Sequence, residues 1–139
     1  MMELVKFSGV LARVDEPMIS GRVYRRRVWE EAIKNATWPI FGTFDGRPQY
    51  LADISHRIFS CWLDEDLVMM DGDIMTTPLG VELVKAMEQH HAGKLVLGVA
   101  PRGFGDVDGD IVRHGYRLEG IDFTLQNARP FVLRSFSKN

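Results

Sequence analysis

The chain has 139 residues, 45% of them hydrophobic and 26% charged, and its 17 cationic and 19 anionic side chains leave a formal net charge of −2 with histidine neutral. That length and composition predict one globular domain over 1–139 and exclude disordered and fibrous classes. No global positive field is present to hold nucleic acid by counterion release, so direct nucleic-acid binding is not expected. The lone cysteine, Cys61, can form neither an internal disulfide nor a cysteine-rich zinc site. The start Met1–Phe7 has no long apolar stretch, and nowhere do about 18 apolar residues run together, so neither a secretion signal nor a membrane span is expected.

In chain order, alternation from Leu4 to Gly9 followed by apolar Val10–Val14 predicts an opening strand, closed by Asp15-Glu16-Pro17. Tyr24, Val28, Trp29, Ala32 and Ile33 share one face at helical spacing and predict an amphipathic helix over Tyr24–Asn35. Trp38–Phe44 reads as a short strand before the turn residues Asp45-Gly46-Arg47-Pro48. Ala52–Leu63 carries apolar residues on both alternating faces, which predicts a strand buried at least in part on both sides. Asp64-Glu65-Asp66 is a hairpin tip, and Leu67–Met75 returns with a bulge suggested at Asp71-Gly72-Asp73.

A second helix has clear limits: Thr76 or Thr77 as N-cap, Pro78 at the first helical position and Gly93 just past the end. Leu79, Leu83, Val84 and Met87 form its apolar stripe, and His90 and His91 occupy the last turn, where positive charge suits the helix dipole. Lys94–Val99 reads as a buried strand, Pro101–Gly109 as a loop, and Ile111–Gly115, Tyr116–Leu125 and Pro130–Phe136 as further strands. This order predicts an α+β fold, a mostly antiparallel β-barrel or curled sheet with two flanking helices.

Candidate chemistry is sparse. Asp106, Asp108 and Asp110 alternate around Gly109, but the twelfth place of a calcium loop is Arg117, so a solvated turn is expected and no metal. His90-His91 point about 100° apart and lack a third ligand. Arg25-Arg26-Arg27 is a cationic cluster at a helix start, either a solvated face paired with Glu30 and Glu31 or a docking patch for an acidic partner surface. Ser55-His56 are strand neighbours whose side chains are expected to point to opposite faces, which argues against a nucleophile–base pair. His56 reads as a core histidine bonded to backbone, and Cys61 as core filling.

Taken together, several segments resemble the prohead (capsid maturation) protease family of tailed bacteriophages, serine proteases similar in fold to the herpesvirus assembly protease. Gly21-Arg22-Val23-Tyr24 resembles that family's Gly-Arg-Val-Tyr-Pro entry, Ile54-Ser55-His56-Arg57-Ile58 its Val-Ser-His strand, and Thr77-Pro78-Leu79-Gly80 its Thr-Pro-x-Gly helix start. Gly98-Val99-Ala100-Pro101-Arg102-Gly103-Phe104-Gly105 resembles the Gly-Val-Ser-Ser-Arg-Gly-x-Gly nucleophile strand, and Tyr116-Arg117-Leu118 through Ile121-Asp122 the strand ending in its Val-Asp step. The match covers roughly residues 20 to 125.

The departures fall on the catalytic positions that the resemblance implies. Ala100 stands where the family has its nucleophilic serine, and a methyl group cannot attack a carbonyl. Pro101 follows and removes a backbone N–H from the oxyanion side. If the family histidine belongs to a Gly-Glu-Leu-x-His-Pro turn, Gly42–Pro48 places Gly46 at the imidazole position; if His56 is the base, the nucleophile is still absent. A single serine-to-alanine exchange would account for Ala100 but not for Pro101 or Gly46.

The resemblance therefore implies a catalytically inactive prohead-protease-like protein, a virion or head-assembly component such as a minor capsid, decoration or scaffold-associated protein. The alternative is an active maturation protease using Ser55 or Thr43. The implied partners are the major capsid protein, a scaffold protein or a second copy, in a prohead or virion assembled in the host cytoplasm, with no cofactor. Candidate contact surfaces are Arg25, Arg26 and Arg27, the Arg102–Asp110 loop with Arg102 and Gly103 at its start, and the Phe131–Asn139 tail, where Phe131 and Phe136 look exposed, although packing back onto the barrel is the commoner fate of such a strand.

Overall fold

A computed structural model describes residues 5–45, 54–126 and 128–138. Among the described residues ten strands and two helices follow one another as β1 (Val5–Arg13), α1 (Arg26–Asn35), β2 (Ile40–Gly42), β3 (His56–Asp64), β4 (Leu67–Ile74), α2 (Pro78–His91), β5 (Gly98–Phe104), β6 (Val107–Asp108), β7 (Ile111–Val112), β8 (Arg117–Thr124), β9 (Arg129–Pro130) and β10 (Val132–Lys138). They form a five-stranded sheet ordered β10-β1-β4-β3-β2, a three-stranded sheet ordered β8-β5-β9 and the hairpin β6-β7. All ladder pairs are antiparallel. The sheets curl around one core and do not close into a barrel: among the described residues the two larger sheets are joined by the parallel bridge Phe44↔Phe123 and at the short β9–β10 corner. The α+β class with two helices and a curled, mostly antiparallel sheet is therefore the observed architecture.

Two bulges decide which residues face the core. In β1, Leu11 is the extra residue between Val10↔Met69 and Ala12↔Val68, so Val10, Leu11 and Ala12 are all buried. In β3, Phe59 is extra between Ile58↔Gly72 and Ser60↔Asp71. The inward parity switches there from His56 and Ile58 to Cys61, while Phe59 and Trp62 stay more than 40% exposed. The expectation of a strand buried on both sides is corrected: apolar residues on both sequence parities serve one face because a bulge inverts the alternation midway. The bulge suggested at Asp71-Gly72-Asp73 lies on the partner strand opposite.

The core centres on Phe7, Phe123 and Phe131, packed edge-to-face with centroids 5.2–6.2 Å apart. Phe131, read as exposed, is 2% accessible because its N–H bonds Leu97 O at 2.8 Å and fixes the β9–β10 corner against the core. Each such buried ring contributes about 1.5–3 kcal/mol.

Helix α1 buries Val28, Trp29 and Ala32, the stripe legible in the sequence. Helix α2 begins at Thr77, whose hydroxyl accepts the Gly80 N–H at 3.1 Å and donates to Ile54 O. It ends before Gly93, whose φ of 76° suits glycine. Thr77→Ala is expected to cost about 1–2 kcal/mol in urea unfolding, with Thr77→Ser restoring most of it, because one hydroxyl satisfies a helix N–H and a carbonyl at once. His90 does more than sit near the dipole: Nδ1 accepts the Leu97 N–H at 3.0 Å and Nε2 donates to Phe131 O at 2.7 Å, tying α2 to the corner.

Strand β5 starts at Gly98, later than the predicted Lys94–Val99, and runs to Phe104, so Pro101–Phe104 is strand where a loop was expected. Its pairing with β8 carries it through the proline and glycine. Among the described residues no helix is long and apolar enough to cross a membrane.

Candidate functional site

The segment that resembles the nucleophile strand is β5. It runs antiparallel to β8 with Ala100 opposite Asp122, and β9 covers it only at Gly98 and Val99. From Ala100 onward its outer edge is unpaired among the described residues, which is where a proline lacking an N–H is tolerated. Ala100 is half-buried and, with Pro101, lines a cleft of about 350 Å3 whose walls include Met18, Ser20, Arg22, Tyr24 and Arg129.

Asp122 is the hub behind this edge. Its carboxylate accepts the Thr43 N–H at 3.0 Å and the Arg102 Nε–H at 2.8 Å. The ion pair is partly exposed and contributes no more than about 1 kcal/mol; positioning is its larger effect, since it holds β2's continuation, β5 and β8 together. Next to Asp122, the Ile121 carbonyl accepts the His56 Nε2–H at 2.5 Å. With Nε2 as donor, Nδ1 is left as the acceptor, and it receives the Ser55 hydroxyl at 2.6 Å.

The expectation that Ser55 and His56 point apart is thereby corrected. Ser55 precedes β3, with its N–H bonded to Gly42 O and its carbonyl to the Met75 N–H, so strand alternation does not govern it. The pair is nevertheless sealed: both residues have zero accessibility. Burial pushes the His56 imidazole down to about 4, outweighing the Ile121 hydrogen bond and the nearby Asp122 charge, which pull the other way. Gly42 lets the ring approach β8, since a Cβ there would lie 2.0 Å from Ile121 O and 2.3 Å from His56 Nε2.

The structure thus brings Ala100, Arg102, Asp122, His56, Ser55 and Thr43 into one neighbourhood around the β5–β8 and β2–β8 contacts. Gly103 belongs to the same ladder, its backbone against Tyr116 and Arg117. Arg25, Arg26 and Arg27 are elsewhere, in a cleft beside the β6–β7 hairpin. Gly46 lies outside the described residues. Cys61 is a buried thiol pushed up to about 12 by burial, and so is no nucleophile. Among the described residues no three His, Cys, Asp or Glu side chains group to hold a metal ion, and Asp106, Asp108 and Asp110 are exposed around the hairpin. Gly42 and the Ile121 carbonyl were not singled out from the sequence: their partners lie 14 and 65 residues away, and no local pattern marks such contacts.

Among solved structures, the bacteriophage T4 capsid assembly protease, gp21, matches with a TM-score of 0.66 and 19% sequence identity, over 87% of this chain and 81% of that one. The chain shares the fold of a phage capsid assembly protease. No protein-family model and no curated protein sequence matches it. The shared fold is a scaffold, and chemistry on it depends on the side chains each chain supplies.

Proposed function

We propose that this chain is a phage head-assembly protein, built on the capsid-protease fold, that binds its partners without hydrolysing them. One observation carries the reading: the position on the open edge of β5, beside an accessible cleft, is a methyl group, while the Ser55–His56 pair is closed to any substrate carbonyl. A hydrolase needs nucleophile, base and scissile carbonyl to meet within hydrogen-bond reach. The free edge of β5 instead suits an extended segment added as a further strand. The T4 protein's description as a capsid assembly protease supports the major capsid protein, a scaffold protein or a second copy as partner, in the prohead or virion.

The 2.6 Å Ser55–His56 hydrogen bond favours one second reading, an active protease with Ser55 as nucleophile. Incubation with a fluorophosphonate probe and with capsid and scaffold precursors separates the two. No labelling and no cleavage are expected. Ala100→Ser is expected to remain unlabelled as well, because both ring nitrogens of His56 stay committed to Ser55 and Ile121. Labelling of the unaltered chain, or specific precursor cleavage, overturns the proposal.

A further inference from the structure

Helix α1 begins in a concentration of positive charge with which, among the described residues, neither Glu30 nor Glu31 forms an ion pair. Arg26 pairs with Asp66 at the β3–β4 turn, at 3.2 Å. Glu31, expected to pair with the arginines, instead accepts the Gly115 N–H at 2.6 Å and lies 4.0 Å from His114, and with Glu30 it lines a neighbouring concavity that Arg27 borders. Among the described residues the side chains of Arg25, Arg27 and Arg113 make no hydrogen bond or ion pair. These three line a cleft of about 410 Å3 together with Val28, Ile111 and Val112. The first turn of α1 has no acidic residue and Arg25 supplies no cap, so the positive helix end adds to the guanidinium charge.

We propose that this cleft docks an acidic segment of a partner protein that carries an apolar anchor residue. Guanidinium forks fit carboxylates bidentately, and the exposed Ile111, beside the buried Val28 and Val112, offers the apolar contact for an aliphatic side chain. Asp15 and Asp108 line the same cleft and temper its charge toward any anion; nucleic acid fits less well because the net negative chain supplies no wider positive field along which a phosphate backbone could run. This deepens the assembly reading by giving the partner's chemistry. A chain that hydrolyses precursors could still dock such a segment, and a chain that does not could fail to, so the two tests fail separately.

The test titrates the 15N-labelled full chain with an acetylated, amidated Glu-Glu-Leu-Glu-Glu peptide, followed by amide shifts. Saturable shifts at Arg25, Arg27, Ile111 and Arg113 are expected, weakening several-fold between about 50 and about 300 mM salt. A Gln-for-Glu peptide, and the exposed double variant Arg27→Gln/Arg113→Gln, should each bind about tenfold more weakly, whereas Arg134→Gln should not. Absence of shifts in the cleft at about 5 mM peptide, unchanged binding by the double variant, or tighter binding there of a single-stranded DNA of equal charge overturns the proposal.

Discussion

Gly42→Ala is expected to lower the stability of this protein by about 3–5 kcal/mol, with urea unfolding as the measurement that checks it. The added methyl would sit 2.0 Å from Ile121 O and 2.3 Å from His56 Nε2, atoms on two different strands that already hydrogen-bond each other. Neither is the far end of a flexible chain, so β2 must move away from β8. Separation also strands the buried His56 N–H and Ile121 carbonyl, a cost of about 1–3 kcal/mol by itself. Gly109→Ala is the control: its φ of 63° strains an alanine, but nothing lies within 4 Å of the new Cβ, and the expected loss is about 1 kcal/mol. Equal losses at the two positions would show that backbone conformation, and not the wedge between strands, sets the cost at Gly42.

Acid destabilises the fold through His56 before most carboxylates contribute. The folded state depresses this imidazole from 6.5 to about 4, so between those values the unfolded chain binds a proton that the folded chain refuses. The stabilisation is complete above about pH 6.5 and is lost as pH falls toward 4, amounting to about 3 kcal/mol over the window. Glu16 is lowered chiefly by the Arg129 hydrogen bond, so its contribution is present above the ordinary carboxylate range and lost below it. Unfolding free energies between about pH 5 and pH 7 therefore isolate the histidine. His56→Gln, able to donate to Ile121 O and accept from Ser55, is expected to flatten the slope in that interval. A slope that survives the substitution would mean that groups other than His56 set the pH dependence in that interval.

Elements with strong local chemistry were legible at once. Helix α2 is bounded where Thr77, Pro78 and Gly93 place its limits, and α1 buries Val28, Trp29 and Ala32, because caps and 3.6-residue periodicity act within one or two turns. The β3–β4 hairpin turns at Glu65-Asp66 as its acidic tip indicates. Strand burial was less legible. Phe59 and Leu11 are bulged residues, and a bulge is set by the register of a partner strand, which leaves no mark in the alternation except its failure. For the same reason Pro101–Phe104 read as a loop: only pairing with β8 makes it a strand.

The candidate site divides along the same line. That residues 100 and 101 are alanine and proline, with no hydroxyl between them, is a property of the chain alone, as are its single cysteine and its near balance of charge. Tertiary structure decided the rest: that Ala100 faces Asp122, that Ser55 meets His56 instead of pointing away, that Ile121 and Gly42 enclose the imidazole, and that Glu31 turns from the arginines to Gly115. Caps, turns and periodicity act over a few bonds, so residue identity suffices to find them. The partners of a buried imidazole, a strand edge or an unpaired guanidinium come from segments tens of residues away, and only the packing of the whole core brings them within 3 Å.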